Sequence, residues 1–150
     1  MILIVSATKN EVLPLLNGSE QPCVGIPLLL DAFSRNDAEI LVTGVGAVPT
    51  TFWLSNILNQ KKYDLVINVG VAGTFNPEIS LGDVVLVRED LFADYGIDNQ
   101  GKFISLFESG LCNQNQNPFN KGRMQWPYAD RFHYLNHFTR VNGITVATAS

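Results

Sequence analysis

The carboxylate of Glu11 lies four residues behind the first apolar run of the chain, Ile2 to Ala7. At the ligand edge of a sheet such a group can take a proton from water or steady a developing cation. In the first turn of a helix it caps backbone N–H groups instead, worth about a few tenths of a kcal/mol. Spacing alone leaves both roles open. Gly70-Val71-Ala72-Gly73 ends a Val- and Ile-rich run that starts at Asp64, and reads as a buried strand delivering a bare backbone loop. Glycine has no Cβ, so such a loop can lie close against a flat or polar group. Ligands of open α/β sheets bind at the carboxyl ends of strands. Gly44-Val45-Gly46 is a second such pair, with a tight strand-to-helix turn as its plain alternative.

Other arrangements carry less. Gly44-x-Gly46 lacks the third glycine of a dinucleotide fingerprint, and no acidic residue closes the next strand, which argues against a nicotinamide enzyme. His133 and His137 stand at i, i+4 on an expected helix, a metal-binding spacing, but no third ligand accompanies them and packing histidines are the simpler reading. The acidic ladder of Asp94 to Asp98 is too incomplete for a calcium loop, and no phosphate loop or serine elbow is present.

The elements that must position these groups follow from periodicity. Ile2 to Ala7 is a continuous apolar run, the mark of a strand buried on both faces. Thr8 and Glu11 have capping-box spacing for a short helix that Pro14 and Asn17-Gly18 close. Val24-Gly25 and Leu28 to Phe33 read as edge strands of a hairpin, confined by Pro22 and Pro27. Ala38 to Thr43 is a second central strand, Val48 to Gln60 a helix with Pro49 in its first turn, and Tyr63 to Val71 a third strand. This alternation predicts βαβ units and a largely parallel sheet. Further strands are expected at Val84 to Val87 and Ile144 to Ala149. A helix is expected from Tyr128 to Phe138, with turns at Asp98 to Gly101 and at Asn142-Gly143. Asn113 to Pro118 reads as a solvated amide loop. The strand running to Ser150 looks interior, so the domain is expected to be incomplete at its C-terminal end.

Composition narrows the class. The 150 residues fit one domain, 1–150, with a real core. A formal charge of −4 and scattered lysines (Lys9, Lys61, Lys62, Lys102, Lys121) argue against nucleic acid or a membrane surface as partner. Only 16% of residues are charged, consistent with surface buried against another subunit. Cys23 and Cys112 are expected as free thiols. No signal peptide or membrane span is visible, so residence is expected to be cytoplasmic.

The segments VSATKNEV (5–12), VTGVGAV (42–48), LVINVGVAGTF (65–75) and SLGDVVLVREDLFADYG (80–96) together resemble the nucleoside phosphorylase and nucleosidase superfamily, in order and in spacing. The later stretch, with Phe-Ala-Asp-Tyr-Gly, GKFISLFESGL and NPF, is most similar to futalosine hydrolases, which release hypoxanthine on a menaquinone route. The sister family is the methylthioadenosine/S-adenosylhomocysteine nucleosidases. The resemblance implies a three-layer α/β/α fold with a mixed, largely parallel twisted sheet. It implies hydrolysis of the N-glycosidic bond of a purine nucleoside, without metal or organic cofactor. Glu11 then matches the glutamate that activates water, Gly70, Val71, Ala72 and Gly73 match the backbone lining the nucleoside pocket, and Gly44 and Gly46 match a second turn at its edge. Leu81-Gly82-Asp83 matches a structural motif.

Hydrolysis is favoured over phosphorolysis, because residues 6–10 contain no arginine and Glu11 would repel an anion. The resemblance also implies a homo-oligomer whose partner loop completes the pocket, with Phe107, Phe119, Trp126 and Tyr128 as candidate contacts and core packing as their equal alternative. In the family the ribose-binding Met-Glu segment and the Asp that protonates the purine lie beyond the strand matched by Val146 to Ser150. The 150-residue chain alone is therefore expected to turn over weakly or not at all. An inactive purine-nucleoside-binding module is the alternative of another class.

Overall fold

The computed structural model describes residues 1–15, 28–32, 38–126 and 132–147. They form two compact units, Met1–Phe75 and Asn76–Ser150, each built on its own four-stranded sheet.

The first unit is organised by its first strand, β1 (Ile2–Ser6). It pairs in parallel on both sides, with β3 (Ala38–Val42) and β4 (Leu65–Asn68), while β2 (Leu28–Ala32) joins β3 antiparallel, giving the order β2-β3-β1-β4. The continuous apolar composition of β1 suits this central place, because both of its faces are covered. Leu3 and Val5 pack with Leu41 against Trp53, Leu54 and Ile57 of helix α2 (Ala47–Gln60). Ile4 packs on the other face with Ala38, Ile40 and Val12 of helix α1 (Lys9–Val12), whose end tightens into a 3₁₀ turn at Leu13–Leu15. Each of the buried Leu, Ile and Val side chains removed from water in this way is worth about 2 kcal/mol. Helix, sheet and helix thus give the expected three-layer α/β/α arrangement with a mixed, largely parallel sheet.

The third expected strand is shorter and more exposed than its composition predicts. β4 covers only Leu65–Asn68, and Val66 and Ile67 are 37% and 38% exposed. Among the described strands β4 pairs with β1 alone, so an apolar run that reads as central stands at an edge. β2 pairs antiparallel with β3, while Val24-Gly25, and with it the expected hairpin, lies outside the described residues, as do Asn17-Gly18, Cys23 and Tyr128.

In the second unit, β5 (Val85–Phe92), β8 (Phe119–Asn120), β9 (Arg123–Gln125) and β10 (Thr139–Thr145) form a sheet of order β10-β5-β9-β8, with β10 and β5 parallel. A separate hairpin joins β6 (Gly96–Asn99) to β7 (Lys102–Ser105) through the expected turn, where Gln100 and Gly101 have φ of +55° and +83°. Two expectations fail here. Asn142-Gly143 is not a turn but lies inside β10. The ladder carries a bulge: Val141 faces Val87 and Asn142 faces Glu89, leaving Arg88 unopposed. The described part of the expected helix at 128–138 holds one 3₁₀ turn, His133–Leu135, and β10 begins at Thr139. Its aromatic residues, histidines and asparagine are weak helix formers, and strand pairing claims the residues that follow from Thr139. Phe107 and Phe119 pack edge to face at 5.1 Å, and Trp126 stacks on Phe132 at 5.8 Å, so these half-buried rings serve the unit's own packing.

Candidate functional site

Three parallel strands of the first unit end side by side, since Ser6 pairs with Val42 and Val5 with Asn68. The ladder runs one step further on each flank. The Thr43 N–H donates to Ser6 O (2.9 Å), the Gly44 N–H to Ala7 O (3.1 Å) and the Val69 N–H to Val5 O (2.8 Å). Beyond this edge the backbone turns away in three places: into α1 after β1, through Gly44-Val45-Gly46 after β3, and through Gly70 to Gly73 after β4.

Glu11 reaches the edge because α1 starts immediately after β1. Thr8 is its N-cap, with extended backbone (φ −132°, ψ 154°), and Glu11 is the third helical residue, so its side chain folds back and closes a capping box. Oε2 accepts from the Thr8 N–H (2.7 Å), the Ser6 hydroxyl (2.9 Å) and the Thr8 hydroxyl (3.0 Å). Oε1 faces the loop after β4 and accepts from the Val71 N–H at 3.3 Å. Burial by itself would raise the Glu11 pKa and is the largest single influence. The donors Thr8 N–H, Ser6, Thr8 hydroxyl and Val71 N–H together outweigh it, so the carboxyl sits below its ordinary value. The group is therefore an ionised carboxylate at neutral pH. The capping and basic roles left open by spacing are compatible in one geometry.

The sequence-selected residues distribute around this carboxylate. Gly70 and Val71 touch it. Ala72 and Gly73 continue the loop in exposed positions, and an added Cβ at Gly73 would meet nothing within 4 Å. Gly44 and Gly46 lie on the other side of β1, at the end of β3. Their φ values, +90° and +104°, explain both glycines, since a side chain there would be strained. The turn is pinned by hydroxyls: Thr43 Oγ1 donates to Gly44 O (3.0 Å) and lies 3.0 Å from Thr50 Oγ1, and the Thr50 hydroxyl also lies 2.9 Å from Gly46 O.

Sequence reasoning missed Ser6, Thr43 and Thr50. Their common signal is a hydroxyl residue at a strand end or in the first helical turn after a glycine pair. His137 packs on Phe138 at 4.0 Å, and among the described residues no group of three or more His, Cys, Asp or Glu could hold a metal. No helix among the described residues is long and apolar enough to cross a membrane.

Known proteins share this architecture. The model of the Phosphorylase superfamily matches residues 2–132. The 5'-methylthioadenosine/S-adenosylhomocysteine nucleosidase of Marinomonas sp. (strain MWYL1) is 32% identical over 82 residues, 55% of this chain and 36% of that protein. The enzyme of the same name from Shewanella sp. (strain MR-7) is 30% identical over 90 residues, 57% of this chain and 38% of that protein. Among solved structures, a mutant Helicobacter pylori nucleosidase with 5'-methylthioadenosine in its active site superposes with a TM-score of 0.63 at 17% identity, over 97% of this chain and 63% of that one. The Neisseria meningitidis nucleosidase in complex with methylthio-immucillin-A gives a TM-score of 0.59 at 18% identity, with 97% and 63% covered. The match thus spans little more than a third of the curated relatives' length.

Proposed function

Because the chain belongs to the Phosphorylase superfamily, we propose that it serves the hydrolysis of the N-glycosidic bond of a purine nucleoside, with Glu11 as the base that takes a proton from water. The observation that carries this reading is the ionised Glu11 carboxylate held against Gly70 and Val71 at the carboxyl edge of the sheet. Breaking the bond between ribose and purine builds positive charge on the sugar. A fixed carboxylate stabilises that charge and deprotonates the water that attacks it. The open glycine-bearing turns on either side leave backbone N–H and C=O groups for a flat base and a ribose.

The substrate favoured is an adenine nucleoside with a 5'-thioether, as the names of the relatives indicate for those proteins. Futalosine, which the resemblance of residues 92–119 suggests, is the second reading. The protein expressed from its complete reading frame, incubated with 5'-methylthioadenosine, S-adenosylhomocysteine and futalosine, separates them by the base released. Adenine from the first two supports the favoured substrate and hypoxanthine from futalosine the second. Nucleoside binding detected by thermal shift, with no base released from any substrate, would leave a binding module and end the hydrolase reading.

A further inference from the structure

The two oxygens of the Glu11 carboxylate are held very differently. Oε2 has three donors at 2.7–3.0 Å: the Thr8 N–H and the hydroxyls of Ser6 and Thr8. Oε1 accepts from the Val71 N–H, at the long distance of 3.3 Å. A carboxylate oxygen offers about two lone-pair sites, so Oε2 has no capacity for a further donor and Oε1 has. We propose that Ser6 and Thr8 are positioning residues for the base, occupying Oε2 so that Oε1 alone is presented to the water.

This inference rests on the nucleosidase reading of Glu11 and assigns work to two residues which that reading does not use. Ser6 is fully buried at the end of β1, so its hydroxyl is confined to its two nearby acceptors, Glu11 Oε2 and Thr8 O (2.8 Å). The Thr8 hydroxyl comes from the N-cap itself, fixed by the helix start. With both hydroxyls gone, the Thr8 N–H alone would hold Oε2, and rotation of the carboxylate would exchange its oxygens at the Gly70 wall. The hydroxyls also favour the charged form, so their loss raises the pH at which Glu11 protonates. The groups that face Glu11 from β1, the cap and the loop after β4 are Ser6, Thr8, Gly70 and Val71, none of which ionises near neutrality. Lys9, on its own helical turn, is the one other ionisable group of α1.

The test compares wild type, Ser6→Ala, Thr8→Val, the double variant and Ser6→Thr in the full-length protein, by purine release across pH and by carbon-13 NMR titration of the Glu11 carboxyl, assigned with Glu11→Gln. In the double variant the Glu11 midpoint rises by about one pH unit and the acid limb of kcat moves with it. Its kcat falls about tenfold with KM within about twofold, because orientation and not binding is lost. Ser6→Thr, which keeps a hydroxyl, recovers most of the rate. Thr8→Val alone gives a partial loss, and decides the matter should the buried Ser6 variant fail to fold. A double variant (or Thr8→Val in its place) with unchanged midpoint and kcat overturns the positioning role while leaving the nucleosidase reading intact. A wild type that releases no base from any nucleoside overturns that reading and this role with it.

Discussion

Gly70 faces Glu11 so closely that a β-carbon on it would lie 2.9 Å from Oε1 and 3.6 Å from the carboxyl carbon. The glycine is required here by the neighbouring side chain and not by a left-handed backbone, since Gly70 is absent from the positive-φ glycines. The obstructed atom is the far end of a flexible side chain, so Gly70→Ala can be accommodated by moving the carboxylate. Stability is expected to fall by less than about 1 kcal/mol. The displaced base is expected to lose about 10²-fold in kcat, the scale of a misplacement near 1 Å. Paired measurement of melting temperature and purine release checks this, and an alanine variant at wild-type rate would detach Gly70 from the site.

Glu11→Gln separates the two roles of the same side chain. Glutamine at the third helical position still accepts from the Thr8 N–H, so the capping box survives and the melting temperature is expected to stay within about 2 °C of wild type. An amide cannot take a proton from water, so purine release is expected to fall about 10²- to 10⁴-fold. Steady-state kinetics with the best substrate decides. A large fall in stability with little loss of rate would make the residue a cap only.

Gly143 tests the bulge in the second unit. A β-carbon there would meet Val87 Cγ1 at 3.0 Å and Asp90 Oδ1 at 3.4 Å, within a strand whose partner has already looped out Arg88. Asp90 is itself engaged, accepting from the Thr145 hydroxyl at 2.6 Å and the Leu91 N–H at 2.7 Å, so it has little room to yield. Gly143→Ala is expected to destabilise the β5–β10 pairing by about 1–3 kcal/mol. Faster amide exchange in β10, with β1 unaffected, would be the signature.

What the sequence disclosed depended on how local the cause was. The capping box at Thr8 and Glu11, the turn at Gln100-Gly101 and the strands β1 and β3 are written in adjacent residues, and were legible. Gly143 misled because asparagine followed by glycine is the strongest short turn signal, whereas here the small residue answers to Val87 and Asp90 across the sheet. β4 misled because apolar content reports burial only when both edges find partners. At the candidate site Glu11 and the glycines could be picked out by type. The hydroxyls of Ser6, Thr43 and Thr50 could not, since serine and threonine gain meaning only from what they face.

Glu39 supplies the clearest pH dependence of the first unit. It lies 9% exposed on β3 and is bonded to Lys61, at the end of α2, and to the Tyr63 hydroxyl. Burial, the largest influence, would raise its pKa, but the hydrogen bonds of Lys61 and Tyr63 and the Lys61 charge hold it below the ordinary value. A carboxyl depressed in the folded state contributes stability above its unfolded pKa of about 4.3, lost as pH falls through the lower folded value. Tyr63 works at the other limb: burial, and then the hydrogen bond and charge of Glu39, push its hydroxyl upward. That contribution is complete below about pH 10 and is lost as pH rises through the raised folded value. Glu39→Gln is expected to cost about 1–3 kcal/mol at pH 7, a difference that shrinks below about pH 4. Tyr63→Phe is expected to shrink the acid limb, since one donor to Glu39 is lost while Lys61 remains, and to flatten the alkaline one. Amide exchange of Ile40 and Leu41 in β3, followed from acid to alkaline pH in the three proteins, measures both limbs. Parallel curves for wild type and Glu39→Gln across the acid range would remove Glu39 from this role.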